Sequence, residues 1–343
     1  MDTKHIRLSV LDQSPVRKGV TAEQAVKETI ELAKYTDQLG YTRFWVSEHH
    51  NTSSLAGSTP EVLLAYLGSQ TKNIRIGSGG VMMPNHSALK VAENFRMLEA
   101  LFPGRVDLGM GRAPGTDRLT AAMLNPSNQF REQDFIEQLY DLRNYFHDTG
   151  ELGTPQSKIR AIPQVKTVPS MWLLSSSGQS GIFAAHFGMA FSFAHFINPT
   201  GGPEAVAAYR ERFQPSDDLH EPQVNVAIFV FCSDDEEKIK RHQTLMDYRF
   251  NQFEKGGGIT PVGYEDIKNV FYSAYEQERI LINRKRVITG SPDEIKAKLT
   301  RLAKDYSVNE IIAVTITEDF EDRLQSYELL AQAFDLKQAI NFA

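Results

Sequence analysis

The sequence predicts an α/β protein with the (β/α)8 fold of a TIM barrel, carrying insertions after its fourth and seventh strands. Short apolar runs alternate with longer amphipathic segments from one end of the chain to the other. Each segment between consecutive strands is long enough for a crossover between parallel strands. The length of 343 residues suits one such barrel, whereas a doubly wound sheet usually stops near about six strands. We therefore expect a single domain over residues 1–343.

The eight predicted strands are short runs of apolar and β-branched residues that end at turn-forming residues. In chain order they cover residues 6–11, 44–46, 74–77, 106–110, 170–174, 189–193, 224–231 and 310–316. The run at 224–231 has the strongest β character of the set. The run at 106–110 leads into a loop at 111–128, and residues 149–169 form a further excursion.

The predicted helices follow the strands and are bounded by capping residues. Thr21 begins the first helix and Gly40 ends it, because a hydroxyl caps free N–H groups and glycine adopts the left-handed conformation that often closes a helix. Pro60 opens the second helix behind Thr59, at a position where proline is tolerated. Further helices are predicted at residues 88–101, 130–146, 182–187, 203–213 and 320–334.

Residues 249–287 fit neither a helix nor a strand pattern cleanly. They include Gly256, Gly257 and Gly258 in a row, followed by Pro261. We interpret this stretch as a long mobile insertion after strand seven. Such an insertion on an enzyme barrel is either a lid over the site or a surface excursion, and the sequence leaves both open.

Composition and charge exclude several classes of protein. With 37 Lys+Arg against 43 Asp+Glu the formal net charge is -6, whereas a duplex nucleic-acid binder needs a basic face. Cys232 is the single cysteine, which excludes an internal disulfide and suits a reducing compartment. The sequence shows neither a signal peptide nor a membrane span. We expect a soluble cytoplasmic protein with no nucleic-acid or membrane partner.

In a parallel barrel the active site is formed by the loops that follow the carboxyl ends of the strands. The second predicted strand is followed by Glu48, His49 and His50. Adjacent strand residues point to opposite sides, so at most one of the two histidines faces the barrel mouth. A histidine here is either a packed, hydrogen-bonded residue or a catalyst, and Glu48 is a candidate anchor for it.

Metal catalysis is an alternative, because Glu48, His49, His50, His86 and His195 all lie at or near predicted strand ends. Metal-dependent barrels commonly begin with a His-x-His pair on the first strand, where this chain has Asp-Gln-Ser. The sequence also contains no His-Glu-x-x-His pair. We therefore expect no metal site.

Two neighbouring strand ends carry glycines. Gly79 and Gly80 end the third strand, which indicates either a ligand close to the backbone or a plain β-bulge. Gly109, Gly111 and Arg112 end the fourth strand, so the guanidinium can reach a phosphate or carboxylate at the mouth. The motif lacks the third glycine of a dinucleotide fingerprint, and Arg112 alone would be an ordinary surface arginine.

The fifth strand ends in a serine-rich segment at residues 175–180 that leads into a helix. It contains Ser176, Ser177 and Ser180, whose small size lets the backbone approach a ligand and whose hydroxyls add donors to the free N–H groups of a helix start. A serine-rich cap without a ligand is the alternative. With Arg112 one strand earlier, a phosphate monoester is the better interpretation.

Taken in order, these segments resemble the bacterial luciferase-like flavin-dependent monooxygenase family. The resemblance rests on residues 44–50 (FWVSEHH), 76–84 (IGSGGVMMP) and 104–112 (GRVDLGMGR), and it continues through the serines to the helix start at 290–294 (GSPDE). It covers nearly the whole chain. It implies a TIM-like barrel that binds reduced FMN non-covalently at its carboxyl face.

The family's roles near the flavin ring carry over to three residues. His49 matches a histidine near the reactive flavin edge, which selects it over His50. Gly79 and Gly80 match the position of a non-proline cis peptide that lies against the isoalloxazine.

The family's roles near the phosphate carry over to the next two strand ends. Arg112 matches an arginine that contacts the FMN phosphate, and Ser176, Ser177 and Ser180 match phosphate ligands after strand five. Gly111, beside that arginine, stands where the light-emitting subunit has a cysteine, and Ser176 where it has an acidic residue. These departures argue against bioluminescence and leave the substrate open.

The resemblance implies a monooxygenase that uses FMNH2, delivered by a separate flavin reductase, and O2 on a small organic substrate, and it implies a homodimer. One alternative is an F420-dependent hydride-transfer enzyme on the same barrel, whose acidic cofactor tail would need more basic residues than Arg112 and Arg118. Another is a non-catalytic flavin-binding protein.

Overall fold

The computed structural model describes residues 6–127, 129, 131–150, 156–256 and 260–337, without the side chain of Gln156. The strands within these residues are β1 (Arg7–Asp12), β2 (Arg43–Val46), β3 (Arg75–Met82), β4 (Val106–Gly111), β5 (Ser170–Ser175), β6 (Ala190–Ala194), β7 (Val224–Cys232), β8 (Val287–Gly290) and β9 (Glu310–Val314). The helices within them are α1 (Ala22–Leu39), α2 (Pro60–Gln70), α3 (Ala88–Leu101), α4 (Arg118–Leu124), α5 (Glu132–His147), α6 (Gly178–Phe187), α7 (Gly202–Arg212), α8 (Glu236–Glu254), α9 (Tyr264–Ile267), α10 (Ala274–Asn283), α11 (Pro292–Asp305) and α12 (Phe320–Ala333).

All strands but β8 close into a parallel barrel. Their hydrogen-bonded order is β6-β5-β4-β3-β2-β1-β9-β7, and β6 pairs with β7 to complete the circle. The additional strand β8 pairs only with the carboxyl half of β7. The predicted (β/α)8 barrel with insertions after strands four and seven is therefore confirmed.

The helix ends agree with the expected caps at some places and differ at others. Thr21 caps α1 by accepting a hydrogen bond from Gln24 N, and Gly40 ends it in the left-handed conformation. The loop predicted at 111–128 contains α4, because Asp117 accepts hydrogen bonds from two N–H groups of its first turn. The serine-rich segment is also more helical than predicted, since α6 begins at Gly178 rather than at residue 182.

Residues 249–287, which fit neither a helix nor a strand pattern cleanly in the sequence, contain regular structure. They hold the end of α8, the short α9, the helix α10 and the first residue of β8. Gly257 and Gly258 lie outside the described residues, as do the predicted starts and ends that fall on residues 128 and 130. None of the described helices is long and apolar enough to cross a membrane.

The barrel interior has its own apolar cluster, separate from the larger one between the strands and the helices. It includes Leu11, Trp45, Trp172, Ile312 and Val314, all nearly or fully buried. The indole rings of Trp45 and Trp172 meet edge to face with centroids 5.4 Å apart. The interior is therefore packed with side chains and is not an open channel.

Below these indoles, a buried charge network closes the amino end of the barrel. Arg43 donates to Asp107 at 2.8 Å and to Glu310 at 2.5 Å, and its guanidinium carbon lies 4.7 Å from the centre of the Trp172 ring. Burial alone would raise the pKa of Asp107 and of Glu310, but the Arg43 charge holds both below their ordinary values. Both carboxylates therefore stay ionised inside the barrel.

Candidate active site

Glu48, two residues beyond β2, joins several groups at the carboxyl end of the barrel through hydrogen bonds. It is fully buried and accepts hydrogen bonds from Met82 N at 2.8 Å and from Asn85 Nδ2 at 3.0 Å. Nε2 of His50 lies 2.8 Å from one of its oxygens, and Nε2 of His86 lies 2.9 Å from both. Glu48 thus anchors His50 rather than His49, and it joins the ends of β2 and β3.

The protonation states in this cluster follow from its hydrogen bonds. Burial alone would raise the pKa of Glu48, but the donors His86, His50 and Asn85 lower it below the ordinary value. Burial would lower the pKa of His86, whereas the Glu48 carboxylate raises it above the ordinary value. The cluster therefore favours an ionised Glu48 beside a histidine that is more readily protonated than usual.

His49 lies in a different environment from its two neighbours in sequence. Its Nε2 is 3.3 Å from the side-chain amide nitrogen of Gln13, which follows β1. An amide N–H can only donate, so Nε2 accepts and the imidazole is neutral with its proton on Nδ1. Burial lowers the pKa of His49, and a hydrogen bond with the Gly115 backbone opposes this only in part.

Gly79 and Gly80 form part of the wall between β3 and β4. The register of the two strands shifts between Gly79 and Val81, so the expected bulge is present. The peptide bond between the two glycines is cis. A Cβ on Gly79 would lie 2.7 Å from Leu11 Cδ1 and 3.0 Å from Trp45 Cβ, so packing inside the barrel already excludes a side chain there.

Arg112 follows Gly111, the last residue of β4, and is partly exposed at the mouth. Its Nη1 lies 3.2 Å from Oε2 of Glu132, in the first turn of α5. Gln179, in the first turn of α6, donates from Nε2 to the same oxygen. A Cβ on Gly111 would lie 2.8 Å from the Met82 sulfur, so the glycine is also closely packed.

The three predicted serines lie at the start of α6. Ser177 is the exposed residue that precedes the helix, and no side chain caps the N–H groups of its first turn. Ser180 is buried within that turn, and the carbonyl of Ser176 accepts a hydrogen bond from Asn198 at 2.9 Å. The segment therefore has a fixed backbone with free donors, as a phosphate site requires.

The structure brings most of the predicted site residues to one end of the barrel. Glu132 joins Arg112 to the serine-rich helix start through Gln179. His49 reaches the same region through Gly115, which lies in the loop after Arg112. Sequence reasoning missed Glu132, although an acidic residue in the first turn of a helix that follows Arg112 was a visible signal.

The metal alternative finds no support in the described part of the chain. No group of three or more His, Cys, Asp or Glu side chains there is arranged to hold a metal ion. His195 is hydrogen-bonded to the Tyr306 hydroxyl at 2.7 Å and to the Lys285 carbonyl at 3.0 Å. It is therefore engaged on the other side of the barrel from Glu48.

The closed parallel barrel is a (β/α)8 barrel, a fold whose enzymes have their active sites at the carboxyl ends of the strands. In this chain that end carries an imidazole, a guanidinium and a serine-rich helix start. The family model for luciferase-like monooxygenases matches residues 6–308. The chain therefore belongs to the luciferase-like monooxygenase family, as its sequence motifs predict.

Similar proteins cover almost the whole chain. YwcH of Bacillus subtilis (strain 168), described as uncharacterized, is 46% identical over 330 residues, which are 96% of this chain and 99% of YwcH. An N-acetyl-S-alkylcysteine monooxygenase of the same organism is 37% identical over 339 residues, 96% of this chain and 98% of that protein. Among solved structures, apo-MsnO8 has a TM-score of 0.89 at 34% identity, covering 97% of this chain and 99% of its own.

More distant structures share the fold alone and contain different cofactors. The oxygenating constituent of 3,6-diketocamphane monooxygenase from Pseudomonas putida, solved in complex with FMN, has a TM-score of 0.69 at 20% identity, covering 96% of this chain and 97% of its own. An F420-dependent secondary alcohol dehydrogenase also has a TM-score of 0.69, at 11% identity, covering 96% of this chain and 99% of its own.

Proposed function

We propose that this protein is a flavin-dependent monooxygenase that takes reduced FMN as co-substrate and uses O2 to oxygenate a small organic substrate. The observation that carries the proposal is the oxygen Oε2 of Glu132, which accepts hydrogen bonds from both Arg112 and Gln179. A guanidinium and the side-chain amide of a residue in the first turn of α6 thus converge on one anionic oxygen. A phosphate monoester suits the same donors.

In this proposal Arg112, Ser176, Ser177 and Ser180 hold the FMN phosphate. Gly79, Gly80 and Gly111 form the wall beside the flavin. Reduced FMN supplies the electrons that activate O2 when it is bound.

His49 handles the proton in this scheme. Its neutral ring carries a proton on Nδ1 and presents Nε2 as an acceptor, because Gln13 donates to that atom. Burial favours this neutral form, so the ring can accept a proton from a reacting group at neutral pH. Glu48 does not contact the substrate in this scheme, and its hydrogen bonds position the loop that contains His49.

The insertion at 249–287 acts as a lid over the mouth in this scheme. It is held to the rest of the barrel by Lys18 Nζ, which lies 2.6 Å from Asp266 Oδ1, and by Tyr264 N, which donates to Glu318 at 3.0 Å. The first of these is an exposed ion pair, and such pairs contribute little free energy. Phe250 at the start of the insertion is packed in the barrel interior, so the part that opens for substrate exchange is the one beyond it.

We further propose a cytoplasmic homodimer that receives FMNH2 from a separate flavin reductase. The exposed apolar side chains of two adjacent helices support the dimer, with Val62 and Tyr66 on α2 and Met97 and Leu101 on α3. Cys232 is buried, which suits a compartment without disulfides.

The proposal is tested by titrating the purified protein with FMN and then measuring O2 consumption with a flavin reductase and NADH. N-acetyl-S-alkylcysteines are the first substrates to try, given the named relative. We expect FMN binding and O2 consumption that rises with substrate. Absence of FMN binding contradicts the proposal, and anaerobic turnover with reduced F420 selects hydride transfer. FMN binding without oxygenated product from a broad substrate panel selects a flavin-binding protein.

A further inference from the structure

One face of α8 lies across the carboxyl ends of β7 and β9. The ring of His242 stacks on Phe231 with centroids 4.3 Å apart, and its Nε2 lies 3.1 Å from the carbonyl oxygen of Ile316. Further along the helix, Met246 and Phe250 are buried in the apolar cluster of the barrel interior. This face of α8 therefore covers one side of the mouth.

Arg249 belongs to the same face of the helix. It follows Met246 by three positions and His242 by seven, the spacing of neighbours along one helix face. Burial is the larger cause that lowers the pKa of His242 to about 3, and the nearby positive charge of Arg249 lowers it further. The guanidinium of Arg249 therefore lies beside the mouth and not on the outer surface of α8.

The Arg249 guanidinium has no protein partner in the described part of the chain. Its Nε is buried without a hydrogen-bond partner, and no carboxylate of the described residues forms an ion pair with it. Burial lowers its pKa to about 10, and the nearby Glu318 charge opposes this. The Glu318 carboxylate itself accepts a hydrogen bond from Tyr264 N.

The Arg249 guanidinium thus has one buried donor, Nε, without an acceptor, while the side chain as a whole stays partly exposed to solvent. A charged donor that is buried without an acceptor lowers stability, because it loses hydration and gains no hydrogen bond in return. Such a cost is retained where a ligand supplies the missing acceptor. A carboxylate, which offers two coplanar oxygens to the fork of a guanidinium, is the matching group.

We propose that Arg249 binds the carboxylate of an anionic organic substrate at the barrel mouth. That the bound carboxylate belongs to a substrate rests on the proposed function. The strand order places β9 and β7, next to Arg249, across the barrel from β4, which carries Arg112. The two arginines therefore define two separate anion sites, with the mouth between them.

Two other arginines with buried, unpartnered nitrogens do not fit this role. Arg323 is paired with Asp12 within the fold. The guanidinium of Arg286 lies 5.4 Å from the centre of the Phe250 ring, which supplies a cation–π partner, and Glu254 adds a favourable charge. Arg249 has neither an ion pair nor a cation–π partner among the described residues, although the Glu318 charge lies nearby.

The first test uses the wild-type protein and phenylglyoxal, which labels arginines and is read by peptide mass spectrometry. Labelling is compared in the presence of benzoate and of benzamide, which has the same shape without the charge. We expect benzoate to slow the labelling of Arg249 several-fold and benzamide to leave it unchanged. Equal labelling of Arg249 under both conditions overturns the proposal.

The second test measures benzoate affinity by ligand-observed NMR in Arg249→Met and in the matched control Arg279→Met, whose guanidinium is paired with Glu254 on the same insertion. We expect Arg249→Met to weaken benzoate binding by about 10-fold or more, the effect of losing one charge-assisted contact. The control should bind benzoate like the wild type. Equal affinity in Arg249→Met, or no wild-type binding, overturns the proposal.

FMN titration of the same variants separates this inference from the proposed function. We expect Arg249→Met to bind FMN like the wild type, because Arg112 lies across the barrel. If no form binds FMN, the proposed function fails while the benzoate results still decide whether Arg249 is a carboxylate site. If Arg249→Met does not fold, the labelling experiment on the wild type remains decisive.

Discussion

Both carboxylate oxygens of Glu48 lie 2.9 Å from Nε2 of His86. The contact spans two barrel strands, because Glu48 follows β2 and His86 follows the end of β3. It also explains why His49, although adjacent in sequence to Glu48, has its own set of partners. The His49 imidazole is held by Gln13 and Gly115, while the Glu48 carboxylate joins the ends of β2 and β3.

Replacing Glu48 by Gln should destabilise the fold by about 1–3 kcal/mol, because buried donors lose a charged acceptor. Because folding lowers the pKa of Glu48, its carboxylate contributes to stability above pH 4.5. That contribution is lost as the pH falls through the pKa of Glu48 in the folded protein. Because folding raises the pKa of His86, its protonated ring contributes to stability below pH 6.5. That contribution is lost as the pH rises through the pKa of His86 in the folded protein. The loss of stability in Glu48→Gln should therefore be largest between pH 4.5 and pH 6.5.

Urea denaturation of Glu48→Gln and wild type over that pH range measures this deficit. Glu93→Gln is the control, since Glu93 pairs with exposed Lys90 at 3.7 Å. A deficit that does not vary with pH would contradict the ionised Glu48–His86 pair.

Replacing His49 by Asn should leave FMN binding intact and lower turnover by about 10²–10⁴-fold, the usual contribution of a general acid–base group. Because burial lowers the pKa of His49, the acid limb of the wild-type pH–rate profile should lie below 6.5. His220→Asn, an exposed histidine, is the control. Unchanged turnover in His49→Asn would remove this residue from the mechanism.

Replacing Arg112 by Ala should weaken FMN binding by about 10- to 100-fold, because a charge-assisted contact contributes about 1.5–3 kcal/mol. Replacing Glu132 by Gln should strengthen it, since the carboxylate competes with phosphate for Arg112 and Gln179. Arg241→Ala, whose arginine pairs with Glu237 on α8, is the control. Fluorescence titration gives the three affinities, and an unchanged value for Arg112→Ala contradicts the phosphate site.

Replacing Gly109 by Ala should destabilise the barrel by about 1–3 kcal/mol, the usual cost of overpacking. The new Cβ would lie 2.1 Å from Ser78 O and 2.9 Å from Leu174 Cδ1, so the backbone must shift. Gly178→Ala meets nothing nearer than 3.8 Å and should change stability little. Thermal melting of both variants decides, and equal melting temperatures would contradict the close packing of β3 against β4.

Placing charges on α2 and α3 should dissociate the proposed homodimer. Tyr66 is 52% exposed and Met97 is 51% exposed, so Tyr66→Glu with Met97→Glu leaves the core intact. Light scattering after size exclusion should change from dimer to monomer. Phe271→Glu, at a fully accessible position on the insertion, should leave the mass unchanged. A wild-type monomer would contradict the dimer itself.

The sequence was sufficient for the barrel because strand periodicity and helix caps are local signals. Thr21 and Gly40 act within their own helix, and both are confirmed as its caps. The strand β8 was missed because it begins at the end of the stretch 249–287, which fits no clear pattern in the sequence. The start of α6 was placed too late because Gly178, Gln179 and Ser180 include weak helix formers that tertiary packing overrides.

The site could be predicted only in part, because its geometry depends on contacts distant in sequence. The order of strands placed His49, Arg112 and the serines at one end of the barrel. The position of Glu132 in the first turn of a helix was a local signal, but it did not show that Glu132 binds both Arg112 and Gln179. Nor did the sequence show that Arg249 forms no ion pair among the described residues.

Arg43 and Glu310 form a buried ion pair that closes the amino end of the barrel. In the proposed function, FMN, substrate and product therefore enter and leave at the carboxyl end, where Arg112 and the start of α6 lie.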